Sequence, residues 1–205
     1  MPSPAKLRYE PDPALQTRDF FDRLAHRWDD MAHAPEEKID AILTRAGVPR
    51  GGHVLDVACG TGILFPALLR RSPVLLRAID LSPGMVAQAR LKYAGAGVEI
   101  SAEDFYTFRQ RGFDCMVVYN AYPHFLDKAL FASQALRCLN TGGRLVIAHG
   151  CGRRALNTRH HTGPAQAVST PLLSCSEEAL RLGYHFAFDV MVDEEDRYIL
   201  SGVKK

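Results

Sequence analysis

The chain has 205 residues, of which 47% are hydrophobic, and a formal net charge of +2; this length is enough to bury one large core. Near-neutral charge excludes the strongly basic surface of many nucleic-acid-binding proteins, and no apolar run reaches the roughly 20 residues that cross a membrane. The five cysteines are scattered without CxxC pairs, which favours a reducing, cytoplasmic location over a disulfide framework. We therefore expect neither nucleic acid nor membrane as a partner.

The N-terminal region is predicted to be helical after a short arm. Residues 1–17 lack the apolar stretch of a secretory signal and are expected to form a flexible arm. Apolar residues at helical spacing predict an amphipathic helix over 18–32. A second helix is expected over 35–46, because Pro35 suits a first turn and Gly47 can close the last one.

From residue 53 onwards the pattern alternates between strands and helices. The run HVLDVA at 53–58 is short, apolar and followed by glycines, as expected for a buried parallel strand. Further strands are predicted over 74–79, 98–101, 114–119 and 144–149, and helices over 62–71, 83–94 and 127–139. This alternation predicts an α/β fold in which a doubly wound, mostly parallel sheet has helices on both faces.

The C-terminal part breaks the alternation. Tyr184–Val192 and Tyr198–Lys204 flank the acidic turn DEED and predict an antiparallel hairpin. Residues 150–175 mix glycine, proline and hydroxyl residues with basic ones, and their length is typical of a functional lid rather than of a plain connection. We expect this segment to be a substrate-side insertion.

The most informative stretch is the glycine turn after the first strand, VLDVACGTG at 54–62. Glycine is needed where the backbone bends sharply and a ligand lies against it. A dinucleotide-binding turn would carry a third glycine where Phe65 stands. Asp56, four residues before Gly60, would repel a pyrophosphate but attract an ammonium group. A nicotinamide oxidoreductase is therefore disfavoured.

A second acidic residue, Asp80, ends the next predicted strand. A carboxylate at this point can accept hydrogen bonds from both hydroxyls of a ribose. Asp56 and Asp80 are also suitable helix caps, and Met85 suits a helix core as well as an adenine pocket. The combination of two acids with a missing third glycine favours a nucleoside that carries positive charge.

These motifs resemble those of the class I S-adenosylmethionine-dependent methyltransferases, in particular small bacterial enzymes related to quinone biosynthesis. VLDVACGTG resembles the first motif of that family, with Ala58 where glycine is more common, and AIDLSPGMVAQAR at 78–90 resembles the second. The segment AEDF at 102–105 resembles the third motif, and FFDRLAHRWDD at 20–30 the lid helix. The resemblance spans roughly residues 18–204.

The resemblance implies a single Rossmann-like domain over 18–205, with seven strands and a helical lid over 18–50. It implies S-adenosyl-L-methionine as cofactor, with Glu103 and Asp104 as alternative ligands of the adenine amino group. The implied cofactor-binding residues are Asp56, Ala58, Cys59, Gly60, Thr61, Gly62, Asp80, Leu81, Met85, Glu103, Asp104, Phe105 and Asn120.

Candidates for the acceptor side follow the fourth and fifth strands. The resemblance places Tyr122 and His124 towards the acceptor, and we expect His124 and His149 as catalytic residues because histidine titrates near neutral pH. If residues 152–161 are helical, then Arg153, Asn157 and His160 share one face and form a basic stripe for an anionic or carbonyl-bearing acceptor. A solvated basic loop is the alternative.

Several alternatives remain at this point. His149, Cys151, His160 and His161 are metal-ligand types, but their spacing matches no standard zinc pattern, and we expect no metal. A non-catalytic protein that binds the same cofactor as a sensor or partner subunit would carry the same motifs. We expect an enzyme that methylates a small molecule and is a monomer or homodimer.

Overall fold

The computed structural model describes residues 12–205 as a seven-stranded sheet with helices on both faces. The strands are β1 His53–Val57, β2 Leu75–Asp80, β3 Val98–Ala102, β4 Phe113–Tyr119, β5 Leu139–His149, β6 Phe186–Asp193 and β7 Tyr198–Lys204. Their order is β3-β2-β1-β4-β5-β7-β6, and β7 alone runs antiparallel to both of its neighbours. The predicted fold, including the antiparallel C-terminal hairpin, is confirmed.

Eight α-helices surround this sheet within residues 12–205. They are α1 Pro13–Leu24, α2 Trp28–Met31, α3 Glu36–Arg45, α4 Phe65–Leu69, α5 Pro83–Lys92, α6 Lys128–Cys138, α7 Arg153–Thr162 and α8 Cys175–Leu182. Short 3-10 turns lie at Ala25–Arg27, Tyr122–His124 and Pro164–Val168. No helix in this part of the chain has the length and apolar character needed to span a membrane.

The core has two layers, one on each face of the sheet. Alternate residues of β1 point to opposite faces, so Leu55 and Val57 pack in one layer and Val54 in the other. The first layer includes residues from α6 and α8, and the second includes residues from α3, α4 and α5. Because both faces are covered, the central strands β1 and β4 are buried almost throughout.

The N-terminal helix differs from the prediction in its bounds. Helix α1 begins at Pro13, where Asp12 caps it by accepting a hydrogen bond from the Ala14 amide at 2.9 Å. The single helix predicted over 18–32 is wrong, because the 3-10 turn Ala25–Arg27 separates α1 from α2. Part of the predicted arm over 1–17 is therefore helical, and its first eleven residues lie outside the described part of the chain.

Two further differences lie after β1 and before β6. The first helix after the glycine turn begins at Phe65 rather than at 62, since residues 60–64 form consecutive turns. Helix α8 was not predicted, although Ser174 and Glu177 form a capping box that the sequence displays as S-x-x-E. In the predicted insertion over 150–175, residues 153–162 are helical.

Candidate functional site

The glycine turn joins β1 to α4 at the carboxyl end of the sheet. Ala58, Gly60 and Gly62 have φ angles of 57°, 56° and 89°, a left-handed region that favours glycine. The Cys59 amide donates to the Ile79 carbonyl at 3.0 Å, which ties the turn to β2. A Cβ at Gly62 would lie 2.7 Å from the Phe65 ring, so this glycine serves the packing of the turn.

Ala58 is therefore in a conformation that costs an alanine about 1 kcal/mol. We expect Ala58→Gly to raise the free energy of unfolding by about 0.5 kcal/mol, because relief of this strain exceeds the entropy that glycine loses. Urea unfolding measures this change. Ala121→Gly is the matched control, since Ala121 has a φ of −128° and gains nothing from glycine. Equal destabilisation by both substitutions would contradict the expectation.

Asp80 closes the turn from the neighbouring strand. One carboxylate oxygen accepts from the Gly60 amide at 2.8 Å and the other from the Ser82 amide at 2.9 Å. Burial raises the pKa of Asp80 to about 6, although these two hydrogen bonds act in the opposite direction, and the nearby Asp22 raises it further. Asp80 lines the cavity next to the turn, so each oxygen retains a lone pair that a ligand hydroxyl can use.

Asp56 lies within β1, one residue before its end, and is 1% exposed. Its Oδ2 atom is buried and has no hydrogen-bond partner in the described chain. Burial, and secondly the charge of Asp80, raises the pKa of Asp56 to about 8. Asp56 is not part of the cavity wall, so its predicted contact with a ligand ammonium group stays a prediction.

A cavity opens beside the turn, between the carboxyl ends of the strands and helix α1. Its wall contains most of the predicted cofactor residues, namely Ala58, Cys59, Gly60, Asp80, Leu81, Met85, Glu103, Asp104, Phe105 and Asn120. Its charged side chains are Asp80, Glu103 and Asp104, and no lysine or arginine lines it within residues 12–205. The electrostatic character of the cavity is therefore acidic, apart from the imidazole of His124.

The two alternative adenine ligands are in different positions. The Glu103 carboxylate binds Arg77 and the Ser101 hydroxyl. Asp104 accepts from the Tyr106 amide at 2.8 Å through one oxygen only. Because Glu103 is already held by a cation, Asp104 has the greater capacity to accept another hydrogen bond from a ligand.

Helix α1 and the turn after it cover the cavity as a lid, defined here as residues 13–32. Pro13, Ala14, Thr17, Phe21, Trp28 and Ala32 line the cavity from this side. Asp22 accepts from the Gly84 amide at 2.8 Å and from the Ser82 hydroxyl, at the start of α5. Asp29 accepts from the Thr61 hydroxyl at 2.5 Å and pairs with Lys92 at 2.8 Å. These two carboxylates thus bind the lid to the glycine turn and to α5.

Thr61 therefore differs from its predicted role. It is 2% exposed, it does not line the cavity, and its hydroxyl is committed to Asp29 of the lid. Gly62 is likewise outside the cavity wall. The sequence reasoning also missed the lid residues Asp22 and Asp29, whose partners lie about sixty residues away in Gly84 and Lys92.

His124 lines the cavity and ends the 3-10 turn Tyr122–His124. Its Nδ1 atom is 2.9 Å from the Val168 carbonyl and 3.1 Å from the Ser169 hydroxyl. Burial lowers the pKa of His124 to about 4, partly opposed by the hydrogen bond to Val168. The ring packs edge-on against Phe21 of the lid at 4.9 Å and near His160 at 5.2 Å.

His149 and Tyr122 are buried away from the cavity. His149 is 0% exposed at the end of β5, neither ring nitrogen has a partner in the described chain, and burial lowers its pKa to about 3. Tyr122 is also 0% exposed, and its hydroxyl donates to Glu178 at 3.0 Å. Neither side chain reaches the cavity wall, so this geometry does not support the predicted catalytic role of His149 or the acceptor contact of Tyr122.

The three residues of the predicted basic stripe lie on a helix, as expected, but their side chains contact other parts of the protein. Arg153 pairs with Asp193 of β6 at 2.7 Å. Asn157 holds the backbone of Leu172, donating to its carbonyl at 2.8 Å and accepting from its amide at 2.9 Å. His160 contacts His124 by its ring, and none of the three lines the cavity. This geometry therefore does not support the stripe as the basis for expecting an anionic or carbonyl-bearing acceptor.

Cysteine and histidine side chains show no arrangement for metal binding within residues 12–205, where no group of three or more candidate ligands is found. All five cysteines are free. Cys151, one of the four residues considered for a metal, instead accepts a weak hydrogen bond from Arg159 at 3.6 Å.

Comparisons with known proteins agree with this geometry. A family model described as a methyltransferase domain matches residues 55–147, which include the glycine turn, Asp80 and β4. This match covers slightly less than half of the 205 residues. The ubiquinone/menaquinone biosynthesis C-methyltransferase UbiE of Geobacter sulfurreducens is 34% identical over 143 residues, covering 63% of this chain and 56% of that protein.

A second curated protein is similar over almost the same length. A ubiquinone biosynthesis O-methyltransferase of Xanthomonas axonopodis is 30% identical over 142 residues, covering 63% of this chain and 59% of that protein. The matched part thus spans less than two thirds of these curated relatives. The magnesium protoporphyrin IX methyltransferase of Synechocystis, solved with bound SAM, has the same fold, with a TM-score of 0.65 at 16% identity over 97% of this chain and all of that one.

Proposed function

We propose that this protein transfers the methyl group of S-adenosylmethionine to a small molecule. The observation that carries the proposal is the acidic cavity beside the glycine turn, which is lined by three acidic residues and by no lysine or arginine of residues 12–205. Such a wall disfavours the pyrophosphate of a dinucleotide and favours a nucleoside with positive charge. S-adenosylmethionine carries a sulfonium and an ammonium group.

The residues present fit that cofactor. Asp80 offers free lone pairs where a ribose would lie beside the turn, Asp104 offers one to the adenine, and Met85 and Phe105 supply apolar wall. The unpartnered Oδ2 of Asp56 supplies negative potential beneath the turn when it is ionised. When bound, the cofactor supplies an activated methyl group, whose carbon–sulfur bond breaks as the bond to the acceptor atom forms.

The protein's contribution to this reaction is alignment and exclusion of water. The lid residues Phe21 and Trp28 cover the cavity, and Asp22 and Asp29 hold the lid in place. The acceptor half lies between the lid and the 122–126 segment, where His124 and Phe125 line the wall. We assign acceptor binding to this half and the reducing cytoplasm as the location, consistent with five free cysteines.

Calorimetric titration with S-adenosylhomocysteine, NAD and NADP tests the cofactor. We expect micromolar binding of S-adenosylhomocysteine alone. Tighter binding of a dinucleotide would refute the proposal. Formation of S-adenosylhomocysteine from the methyl donor in the presence of candidate acceptors then separates an enzyme from a non-catalytic binder, which would bind the cofactor without turning it over.

A further inference from the structure

The orientation of His124 fixes which of its nitrogens carries a proton. The Ser169 hydroxyl donates its hydrogen to the Ala165 carbonyl at 2.7 Å. It therefore has no hydrogen to give to His124, and it meets Nδ1 as an acceptor at 3.1 Å. The Val168 carbonyl, at 2.9 Å, is also an acceptor. Two acceptors at one ring nitrogen require that this nitrogen carries the proton.

The other ring nitrogen, Nε2, is consequently a hydrogen-bond acceptor in the neutral ring. The hydrogen bonds of residues 12–205 leave Nε2 without a partner. His124 lines the cavity, and its Nδ1 side is turned to the segment 164–169, so Nε2 is the nitrogen available to a molecule in the cavity. A ligand atom that meets it must donate a hydrogen.

The residues around His124 also disfavour a negatively charged acceptor. Phe21, Tyr106, Phe125 and Leu126 form the apolar wall near His124. The nearest cation from α6, Lys128, is buried and donates to the Tyr122 carbonyl at 2.6 Å. From α7, His160 faces the imidazole ring, and Arg153 is paired with Asp193. A carboxylate or phosphate on the acceptor would find no counter-charge in this wall.

We infer that the turn 164–169 positions His124 as the Nδ1–H tautomer, so that the acceptor subsite selects an uncharged aromatic or otherwise apolar molecule whose nucleophilic atom still carries its hydrogen. This inference rests on the proposed function and deepens it. His124 touches the acceptor, whereas Ser169 acts through His124 and is a positioning residue. Acceptors that bind in ionised form are rejected, because the Nε2 lone pair would face their negative charge.

Nitrogen NMR of the histidine rings tests the tautomer directly, with His124 assigned by its loss in His124→Asn. In protein saturated with S-adenosylhomocysteine, we expect Nδ1 to carry the proton and Nε2 to be unprotonated. Phenol, anisole and benzoate are then titrated as probes: phenol is neutral and has a hydrogen to donate, anisole is neutral without one, and benzoate is an anion. Phenol should perturb Nε2 and bind at least about fivefold tighter than the other two.

Ser169→Ala tests the role of the Ser169 hydroxyl, and Thr162→Ala is its matched control. The Thr162 hydroxyl also donates to a carbonyl four residues earlier, at 2.9 Å, but it does not contact His124. We expect Ser169→Ala to make the second tautomer detectable and to weaken phenol binding about threefold, with no change in the control. An Nε2–H ring in the unmodified protein, or benzoate binding as tightly as phenol, overturns the inference. So does the absence of any effect of phenol on His124 while S-adenosylhomocysteine binds; failure of S-adenosylhomocysteine to bind refutes the proposed function instead.

Discussion

Replacing Asp80 by asparagine is expected to weaken S-adenosylhomocysteine binding about 100-fold. The carboxylate accepts one backbone amide on each oxygen, from Gly60 and from Ser82. An amide side chain keeps one acceptor oxygen but places an NH₂ group against the other backbone N–H, so one of these bonds is lost and the glycine turn loosens. Hydrogen bonds from hydroxyls to a charged acceptor contribute about 1.5–3 kcal/mol each. The substitution also removes the negative charge of Asp80 that lies next to the ligand.

Calorimetric titration of Asp80→Asn measures the loss, and thermal unfolding shows whether the variant remains folded. Asp196→Asn is the matched control, because Asp196 is an exposed carboxylate in the turn before β7 and pairs only with surface cations. Its affinity should equal that of the unmodified protein. If Asp80→Asn bound the ligand as tightly as the control while remaining folded, Asp80 would be a structural clamp and not a ligand of the ribose.

The glycine turn and its two acids could be predicted because their information is local. Asp56, Gly60 and Asp80 lie within 25 residues, and parallel strands that are adjacent in sequence place their carboxyl ends side by side. The resemblance to the methyltransferase motifs implied Leu81, Asp104 and Asn120, which also follow strand ends and line the cavity. Such residues follow from strand ends and need no knowledge of distant packing.

The acceptor side was predicted less well because its side chains contact residues that are distant in the sequence. The helical face with Arg153 and Asn157 formed as expected, yet Arg153 finds Asp193 forty residues later and Asn157 holds Leu172. A helical pattern gives the direction of a side chain but not its partner. Similarly, neither proline nor glycine marks the break at Ala25–Arg27, which lies between Asp22 and Asp29, the two anchors of the lid.

Helix α8 was missed for a different reason, since its start signal is present in the sequence. Ser174 and Glu177 form the capping box, but the helix has only eight residues and follows an irregular segment. The position of β7 between β5 and β6 had no local signal of its own. It follows from burial, because the first five residues of β7 are buried whereas β6 alternates and suits an edge.

Asp56→Asn is expected to remove most of the pH dependence of cofactor binding between pH 6 and pH 8. In the unliganded protein the pKa of Asp56 is about 8, raised first by burial and then by Asp80. The carboxyl group is therefore mostly protonated at pH 7. A cationic ligand favours the carboxylate, so binding releases a proton and affinity rises as pH increases through this window. Asparagine cannot release the proton, and only the contribution of Asp80, near pH 6, should remain.

Stability changes with pH in the opposite sense. A raised carboxyl pKa means that the folded chain holds a proton that the unfolded chain has lost above about pH 4. The resulting stabilisation is complete below the unfolded pKa and is lost as pH rises towards 8. The melting temperature of the unliganded protein should thus fall between pH 5 and pH 8 relative to that of Asp56→Asn, whose side chain does not titrate; the difference between the two proteins cancels the opposite contribution of the buried His124 and His149, whose pKa values are lowered.

Titration calorimetry in two buffers of different ionisation enthalpy counts the protons released on binding S-adenosylmethionine, which carries the sulfonium charge. We expect release in the unmodified protein and in the exposed control Asp196→Asn, and much less in Asp56→Asn. Equal proton release in all three would mean that Asp56 keeps its proton when ligand binds. The unpartnered Oδ2 of Asp56 would then only reduce the free energy of unfolding. The attraction for a cationic nucleoside would come from Asp80 and Asp104 at the cavity wall.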